Sequence, residues 1–201
     1  KEVEIKLHTV TYAQVKNWLY NEWEDTNRAL VDRLGDGQIA YTHMRDMGSE
    51  ELNEFLKDMH TRTLGKKAII IDLRYNNGGN VHNEVLEFLS QKAHYQWAYR
   101  DFPSNSHPNV TPGDIPIIAL VNERSLSDAE VTSNGIQTLG LATIVGTETY
   151  RWIIFTSGTT LLDGSYLRLP AWGCYSLDGK DLESTGVKPD IYVKNTFEDR
   201  L

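Results

Sequence analysis

The chain has 201 residues, which is enough for one large domain or two small ones with a substantial core. Hydrophobic residues make up 40% of it and charged residues 24%, as in ordinary soluble globular proteins. The net charge of −8 argues against nucleic acid or an anionic membrane surface as the main partner, and no apolar stretch reaches the roughly 18 residues of a membrane span. Cys174 is the only cysteine, which excludes an intrachain disulfide and a multi-cysteine metal site.

The first part of the chain predicts a strand followed by a long helix. Residues 3–7 alternate between apolar and polar side chains, as a strand with one buried face does. Apolar residues at near-helical spacing predict a helix over residues 12–34, with the Asp-Thr-Asn sequence at 25–27 as a candidate break or kink. The Gly-Asp-Gly sequence at 35–37 predicts a turn.

Strands and helices then alternate through the middle of the chain, which predicts an α/β core. The strand at 68–73 is continuously apolar, which is typical of a sheet covered on both faces. Ser49 is the predicted cap of the helix that precedes it, and residues 93–113 predict a long excursion near the functional site. The predicted elements are strands at 38–44, 68–73, 115–121 and 142–145, helices at 49–59, 81–89 and 128–139, and a β-rich tail with a hairpin-like turn at 162–165.

Ser127 lies where a predicted strand ends and a predicted helix begins. Such a junction directs free backbone N–H groups and the positive end of the helix dipole toward one small volume. A serine there can attack a carbonyl while neighbouring amides stabilise the resulting oxyanion. Serine is also a favoured N-cap residue, so helix capping alone is the competing interpretation of this position.

A second strand-to-helix junction carries the glycine-rich sequence NNGGN at residues 76–80. Glycine lets the backbone approach a ligand closely, so an N–H of this loop is one candidate oxyanion donor and an N–H at the start of the helix at 128 is another. A plain turn is the competing interpretation, since Asn-Gly and Gly-Gly are turn dipeptides. Phosphate binding is disfavoured because the loop lacks both the GxGxxG and the GxxxxGK[ST] spacing.

Together these two junctions resemble the catalytic core of the tricorn and C-terminal processing serine peptidases, and the tricorn branch in particular. The similar segments are WEDTNRALVDRLGDGQIAYTHMRDM, IIIDLRYNNGGNV, VNERSLSDAE, IVGTETY and LESTGVKPDIYV, in that order. They extend over nearly the whole chain. The resemblance implies an α/β, crotonase-like (ClpP/crotonase) ββα spiral core with a β-rich C-terminal part. In it, residues 1–35 form a strand and helix that lead into a catalytic domain at 36–201.

The resemblance also implies roles for single residues. Ser127 corresponds to the nucleophile, and the backbone N–H groups of Gly79 and Asp128 correspond to the oxyanion hole. Glu183 matches the glutamate that supports the catalytic histidine of the tricorn branch. The family further implies peptide or unfolded-protein substrates, a homo-oligomer in the full-length protein, and neither a metal nor a cofactor.

The general base is where the sequence departs from the family, although a nucleophile needs a base within hydrogen-bond reach. The processing proteases have a lysine where this chain has Trp152. The tricorn branch has a histidine in an upstream helical segment, ahead of a PDZ module, and we expect such a segment to complete this domain. Within the chain, His82 and His43 are the candidate bases or site-lining residues. His82 is favoured because the glycine loop is expected to face Ser127.

The expected substrate channel also differs from that of the tricorn branch. Arg151 and Trp152 replace a Gly-Gly pair, so two bulky side chains are expected there, beside Gly78. Trp97 falls where tricorn has the acidic residue that selects basic side chains. A preference for basic residues is therefore not carried over to this chain.

Two functions stay open at this point. One is a serine peptidase domain that is incomplete without its upstream histidine, and the other is a catalytically inactive module on the same fold that binds peptides or apolar ligands. A crotonase-type acyl-CoA enzyme is a weaker third interpretation, because no segment indicates nucleotide recognition. The lone cysteine is compatible with a reducing compartment and the first residues lack a signal-peptide apolar region, so we expect a cytoplasmic location.

Overall fold

The computed structural model describes residues 8–110, 112–196 and 198–200. The strand predicted at residues 3–7 lies outside the described residues. The helices are α1 (Tyr12–Leu34), α2 (Ser49–Thr61), α3 (His82–Leu89), α4 (Asp128–Thr138) and α5 (Leu182–Thr185), with 3-10 turns at Pro112–Asp114 and Glu198–Arg200. The strands are β1 (Ile39–His43), β2 (Ala68–Asp72), β3 (Tyr95–Trp97), β4 (Asn105–His107), β5 (Ile117–Val121), β6 (Thr143–Gly146), β7 (Phe155–Thr160), β8 (Tyr166–Trp172) and β9 (Ile191–Tyr192).

A five-stranded parallel sheet forms the centre of the structure, in the order β1-β2-β5-β6-β9. Its core cluster includes Ile71 and Ala119 from the strands and Phe55, Val85 and Ile136 from α2, α3 and α4, all at most 1% exposed. The predicted α/β core is therefore confirmed. Strands β1, β2, β5 and β6 and helices α2, α3 and α4 were predicted with their ends within two residues of those observed, whereas β9 was predicted only as part of the β-rich tail.

The parallel arrangement places the two candidate site loops side by side. In the sheet register Asp72, the last residue of β2, pairs with Leu120 near the end of β5. Parallel strands end at the same edge of a sheet, so the loop that follows β2 and the loop that follows β5 leave it together. The glycine-rich loop leads into α3, and the loop that contains Ser127 leads into α4.

Helix α1 runs without the break that the Asp-Thr-Asn sequence predicted. Arg28 bridges that region, since its guanidinium bonds Glu24 at 2.5 Å and Asp25 at 2.9 Å. Thr11 and Gln14 form a capping box at its start, and the N–H of Gly35 donates to the last turn at its end. Side-chain pairs three and four residues apart thus offset the low helix propensity of residues 25–27.

Two other predictions need correction. Ser49 is the first helical residue of α2 and not its cap, because the cap position is held by Gly48, whose N–H donates to the Asp46 carboxylate at 2.8 Å. Residues 93–113 are not structureless, because β3 and β4 pair there as an antiparallel hairpin. This hairpin is short and mostly exposed, so it leaves no clear periodicity in the sequence.

The C-terminal part is rich in strands, as predicted. Strands β7 and β8 form an antiparallel hairpin whose turn includes the predicted Leu162–Ser165 segment, and each of their residues is exposed. The chain then returns through α5 to β9, which adds to the sheet edge beside β6. No helix in the described ranges combines the length and apolar character needed to cross a membrane.

Candidate active site

The glycine-rich loop and the Ser127 loop are joined by direct hydrogen bonds. The N–H of Leu126 donates to the carbonyl of Asn76 at 3.1 Å. Asn76 is fully buried, and its side chain accepts from the N–H of Gly78 and donates to the carbonyl of Met44, both at 2.8 Å. Ser125, also buried, donates its hydroxyl to the carbonyl of Leu73 at 2.8 Å. The two loops therefore form one unit at the edge of the sheet.

Gly78 brings its backbone directly against Ser127. A Cβ atom on Gly78 would lie 2.5 Å from the Cβ of Ser127 and 3.1 Å from the amide nitrogen of Asp128. Its φ of 78° adds a second reason for glycine, since left-handed backbone disfavours a side chain. The expected contact between the glycine loop and Ser127 is thus present.

Gly79 also requires the absence of a side chain. A Cβ atom there would lie 2.2 Å from the carbonyl oxygen of Met47. Hydrogen bonds of 2.9 Å from Met47 N–H to the Gly78 carbonyl and from Asn80 N–H to the Met47 carbonyl hold this approach. The second glycine therefore lets the loop pack against the segment between β1 and α2.

Ser127 has the backbone of a strained turn. It occupies the N-cap position of α4 but with φ 55° and ψ −120°, where an ordinary cap is extended. Holding a non-glycine residue in such a region costs of order 1–3 kcal/mol and is found mostly at functional sites. The Glu130 N–H donates to the carbonyl of Ser127 at 2.9 Å, and the two residues have the reciprocal contacts of a capping box, but on a backbone that an ordinary cap does not adopt. This geometry favours the nucleophile interpretation over simple capping.

A buried carboxylate holds this strained turn. Glu130 is 0% exposed, and its Oε2 accepts from the N–H of Ser127 at 3.0 Å and from the N–H of Trp152 at 2.8 Å. Its Oε1 accepts from the Thr149 hydroxyl at 2.6 Å and from the Arg151 N–H at 2.8 Å. Four donors thus compensate for the burial of this charge. They also tie residues 149–152 to the nucleophile turn.

Two backbone amides beside Ser127 are available to a ligand. Within residues 8–110, 112–196 and 198–200, neither the N–H of Gly79 nor that of Asp128 donates to a protein acceptor. Asp128 begins α4, so its amide is one of the unsatisfied donors at the positive end of that helix. The arrangement can therefore stabilise negative charge that develops on a carbonyl oxygen next to Ser127.

The Asp128 side chain performs a separate task, because it caps the neighbouring helix. Its buried carboxylate accepts from the N–H groups of Val81 at 2.8 Å and His82 at 3.1 Å, and Nδ1 of His82 lies 2.5 Å from its other oxygen. The starts of α3 and α4 are thus fixed to one another. The contact with Asp128 fixes the orientation of the His82 ring. It does not connect His82 to Ser127.

His43 is buried at the end of β1 with both ring nitrogens engaged. Nδ1 lies 2.8 Å from the Asp72 carbonyl and Nε2 lies 2.8 Å from the Tyr20 hydroxyl. The carbonyl can only accept, so Nδ1 carries the proton and Nε2 accepts from the tyrosine. Burial lowers the pKa of His43 below its ordinary value of 6.5. These contacts favour a structural role for His43 over that of a base for Ser127.

The other predicted site residues lie further from these contacts. Glu183 is exposed on α5, where its N–H donates to the Asp181 carboxylate at 3.0 Å. Trp97 is 63% exposed on β3 and packs edge-on against Tyr95. Arg151 has a φ of 72° and directs its guanidinium at Glu148. The structure brings together Gly78, Gly79, Ser127, Asp128, His82, Arg151 and Trp152, and it does not join Glu183, His43 or Trp97 to Ser127 by a hydrogen bond.

A cleft among the described residues lies away from this site. It has a volume of about 540 Å³ and lies between the C-terminal half of α4 and residues 176–188. No residue that lines it belongs to the glycine loop or to the nucleophile turn. Among the described residues, no group of three or more His, Cys, Asp or Glu side chains is arranged to hold a metal ion.

Sequence reasoning missed three residues that build the site: Asn76, Glu130 and the side chain of Asp128. Glu130 had a readable signal, because Ser127 and Glu130 form the S-x-x-E pattern of a capping box. The roles of Asn76 and the Asp128 carboxylate depend on partners 32 to 47 residues away. Periodicity and local motifs carry no information on contacts of that separation.

Comparison with known proteins agrees with the geometry. The chain is 31% identical over 185 residues to the tricorn protease of Thermoplasma acidophilum, covering 90% of this chain and 17% of that protein. It is 25% identical over 177 residues to a carboxy-terminal-processing protease of Bartonella bacilliformis, covering 82% of this chain and 41% of that protein. The chain thus spans about a sixth of the length of the tricorn proteases that it matches.

Solved structures give the same result. A crystal structure of the tricorn protease superposes with a TM-score of 0.78 at 30% identity, covering 87% of this chain and 17% of the other. The photosystem II D1 C-terminal processing protease, at 20% identity, shares the fold with a TM-score of 0.62 over 77% of this chain and 42% of the other. The family model described as peptidase family S41 matches residues 37–193. The predicted resemblance and fold class are thereby confirmed, and the chain belongs to peptidase family S41.

Proposed function

We propose that this chain is the nucleophile-bearing domain of a serine peptidase that hydrolyses peptides or the termini of unfolded proteins. The observation that carries the proposal is the contact of Gly78 with a strained Ser127, beside two amides that have no protein acceptor in the described ranges. In the proposed reaction Ser127 attacks the peptide carbonyl, and the N–H groups of Gly79 and Asp128 stabilise the oxyanion. Loss of one such donor would cost roughly 3–4 kcal/mol in the transition state.

The general base is proposed to come from a histidine outside these 201 residues. Among the described side chains, none accepts a hydrogen bond from the Ser127 hydroxyl. The chain spans only 17% of the tricorn proteases it matches, which leaves ample sequence for such a segment in proteins of that length. Glu183 is proposed to orient this histidine, since it is exposed on α5 and its carboxylate is accessible. His82, held by Asp128, is the alternative base within the chain.

A fluorophosphonate probe tests the nucleophile directly, because it reacts with an activated serine hydroxyl and needs no peptide specificity. In the full-length protein we expect a single labelled site, located at Ser127 by peptide mass spectrometry, and complete loss of labelling in Ser127→Ala. Ser90→Ala removes an exposed hydroxyl at the end of α3 and serves as the matched control, with unchanged labelling. Labelling that persists in Ser127→Ala would refute the assignment.

A catalytically inactive binding module is the second candidate. It is favoured by Trp152, which stands at the position of the base lysine in processing proteases and is 48% exposed. A complete absence of serine labelling, together with measurable peptide binding, would favour this module over the peptidase.

The remaining proposals concern the oligomeric state of the full-length protein and its location in the cell. A homo-oligomer is supported by exposed apolar side chains on the β7–β8 hairpin, among them Tyr166 and Trp172. Light scattering on the full-length protein tests it, and a monomeric mass would contradict it. A cytoplasmic location stays a proposal from the sequence, and cell fractionation tests it.

A further inference from the structure

A stacked pair of aromatic side chains, Tyr150 and Trp152, lies in the segment that Glu130 ties to the Ser127 turn. The rings of Tyr150 and Trp152 lie 5.6 Å apart at an interplanar angle of 29°, and the two residues are 49% and 48% exposed. Large aromatic side chains normally bury most of their surface, so a half-exposed stacked pair on a peptidase domain is a candidate ligand surface.

The backbone fixes this pair beside Ser127. The amide nitrogens of Ser127 and Trp152 lie 3.0 Å and 2.8 Å from the same atom, Oε2 of Glu130, so their separation cannot exceed the sum of these two distances. The N–H of Tyr150 donates to the carbonyl of Ser125 at 3.0 Å, two residues before the nucleophile. The backbone of residues 150–152 therefore runs directly beside that of the Ser127 turn.

The exposure of the pair does not come from a loosely held loop. Thr149 donates to Glu130, its N–H donates to the Val187 carbonyl at 3.1 Å, and its hydroxyl oxygen accepts from the Val187 N–H at 2.9 Å. On the other side of the pair, Ile153 is buried. The segment also holds Arg151 at a positive φ, a conformation that costs a non-glycine residue about 1–2 kcal/mol. A rigid, strained segment that presents two exposed rings indicates a binding function.

The charges around the pair indicate which side chain it would take. The Arg151 guanidinium is bonded to Glu148 at 2.6 Å, and the Glu130 carboxylate is saturated by its four donors. The charge on this segment, that of Arg151, and the Glu130 carboxylate of α4 that holds the segment are therefore both already compensated. The surface left for a ligand is the pair of flat rings, which favours an apolar or aromatic group.

We propose that Tyr150 and Trp152 form a side-chain subsite adjacent to the nucleophile, which takes a large apolar or aromatic residue of the peptide substrate. This proposal rests on the proposed peptidase function but concerns a different step, because it describes binding and not bond cleavage. It predicts that side-chain preference depends on the two rings, while labelling of Ser127 by a small probe does not.

The test measures binding of fluorescein-labelled pentapeptides Gly-Gly-X-Gly-Gly to the 201-residue chain by fluorescence polarisation, with X as Phe, Leu, Arg, Asp or Gly. The Phe and Leu peptides are expected to bind about 10-fold or more tightly than the Gly peptide, since burial of such a side chain contributes about 1.5–3 kcal/mol. Trp152→Gly should reduce this preference to nearly none, and Trp152→Phe should retain most of it. Trp172→Ala, which removes another exposed tryptophan on β8, is the matched control and should leave it unchanged.

The subsite would be overturned if the five peptides bind with equal affinity, or if the Arg or Asp peptide binds most tightly. It would also be overturned if the Trp152→Gly variant binds all five peptides more tightly, because that result would mean that the rings cover the site. Fluorophosphonate labelling of the full-length protein, which includes the proposed histidine base, separates the two proposals. Normal labelling without side-chain preference overturns the subsite alone. Apolar preference without labelling supports the subsite and contradicts the peptidase assignment.

Discussion

The buried carboxylate of Glu130 joins the Ser127 turn to residues 149–152 through four hydrogen bonds. In Glu130→Gln the amide group would turn an N–H₂ toward two of these donors, whichever way it is oriented. Because the Thr149 hydroxyl can rotate to accept from this group, at least one backbone N–H would lose its acceptor, and we expect a loss of about 1–3 kcal/mol in the free energy of unfolding. Urea denaturation measures it, with Glu87→Gln on the exposed face of α3 as a control that should change stability by less than about 0.5 kcal/mol. Equal effects of the two substitutions would contradict this role of Glu130.

Gly78 can be tested against a second glycine of similar backbone. Gly65 has a φ of 71° and open space around its Cα, whereas Gly78 has a φ of 78° and contacts Ser127. Gly65→Ala should therefore cost only the backbone strain of about 1–2 kcal/mol. Gly78→Ala adds a clash with the Cβ of Ser127, so it should cost more and should also abolish fluorophosphonate labelling. Labelling at the wild-type rate in Gly78→Ala would show that the contact is not needed.

His43 makes stability depend on pH. Burial lowers its pKa in the folded state, so the folded protein keeps the ring neutral while the unfolded chain binds a proton below its ordinary pKa of 6.5. The unfolded state then binds more protons, and stability falls as the pH falls through 6.5 toward the folded-state pKa. The slope from this one group is at most about 1.4 kcal/mol per pH unit.

Comparison with His43→Gln isolates that contribution. The stability advantage of the wild type over the variant should shrink as the pH is lowered from about 7 to about 5, and it should stay constant above pH 7. Urea denaturation across this range measures both proteins under the same conditions. A difference that is independent of pH would mean that His43 does not titrate differently in the folded and unfolded states.

Among the elements, the β7–β8 hairpin contrasts with the central sheet. All residues of β7 and β8 are exposed. In contrast, β2 lies between β1 and β5 in the central sheet and is largely buried. A two-stranded hairpin without a buried face is marginally stable in water. We expect the amides of Phe155–Trp172 to exchange with deuterium much faster than those of Ala68–Asp72, measured by mass spectrometry on the isolated chain.

The same experiment on the full-length protein tests what covers the hairpin. If an oligomer contact or another domain packs on it, exchange there should slow while exchange in β2 stays unchanged. Equal protection of hairpin and sheet in the isolated chain would contradict the view that the hairpin lacks a stabilising partner.

For the whole molecule, the sequence predicted the parts of the fold that depend on local patterns. The apolar run of β2, the amphipathic spacing of α2 and the strand-to-helix position of Ser127 all follow from periodicity, and the structure contains them. That the glycine loop faces Ser127 was expected from the two strand-to-helix junctions together with the family resemblance. What could not be predicted is long-range pairing: the carboxylate of Glu130 reaches Trp152, and that of Asp128 reaches Val81. Such contacts exist only after the sheet has brought distant segments together.

The completeness of the catalytic machinery is also a property of the whole molecule. If the base is absent from the 201 residues, the isolated chain should hydrolyse fluorogenic peptides slowly, because a positioned base contributes about 10²–10⁴-fold. Imidazole added at about 0.1 M could act as the base in place of the missing side chain. Because free imidazole is not held in position, we expect it to raise the rate of hydrolysis by only about 10-fold or less. The rate should rise linearly with imidazole concentration and should be abolished in Ser127→Ala.

The alternatives give different patterns in the same assay. If His82 is the base, turnover should be substantial without imidazole, and it should be lost in His82→Gln but regained on adding imidazole. Fast turnover that survives replacement of all six histidines would exclude a histidine base of either origin. Slow turnover that imidazole does not increase, in a protein whose Ser127 is still labelled, would mean that the limiting step is substrate access. The Trp152→Gly variant should then raise turnover, because it removes the bulkiest side chain held beside the nucleophile.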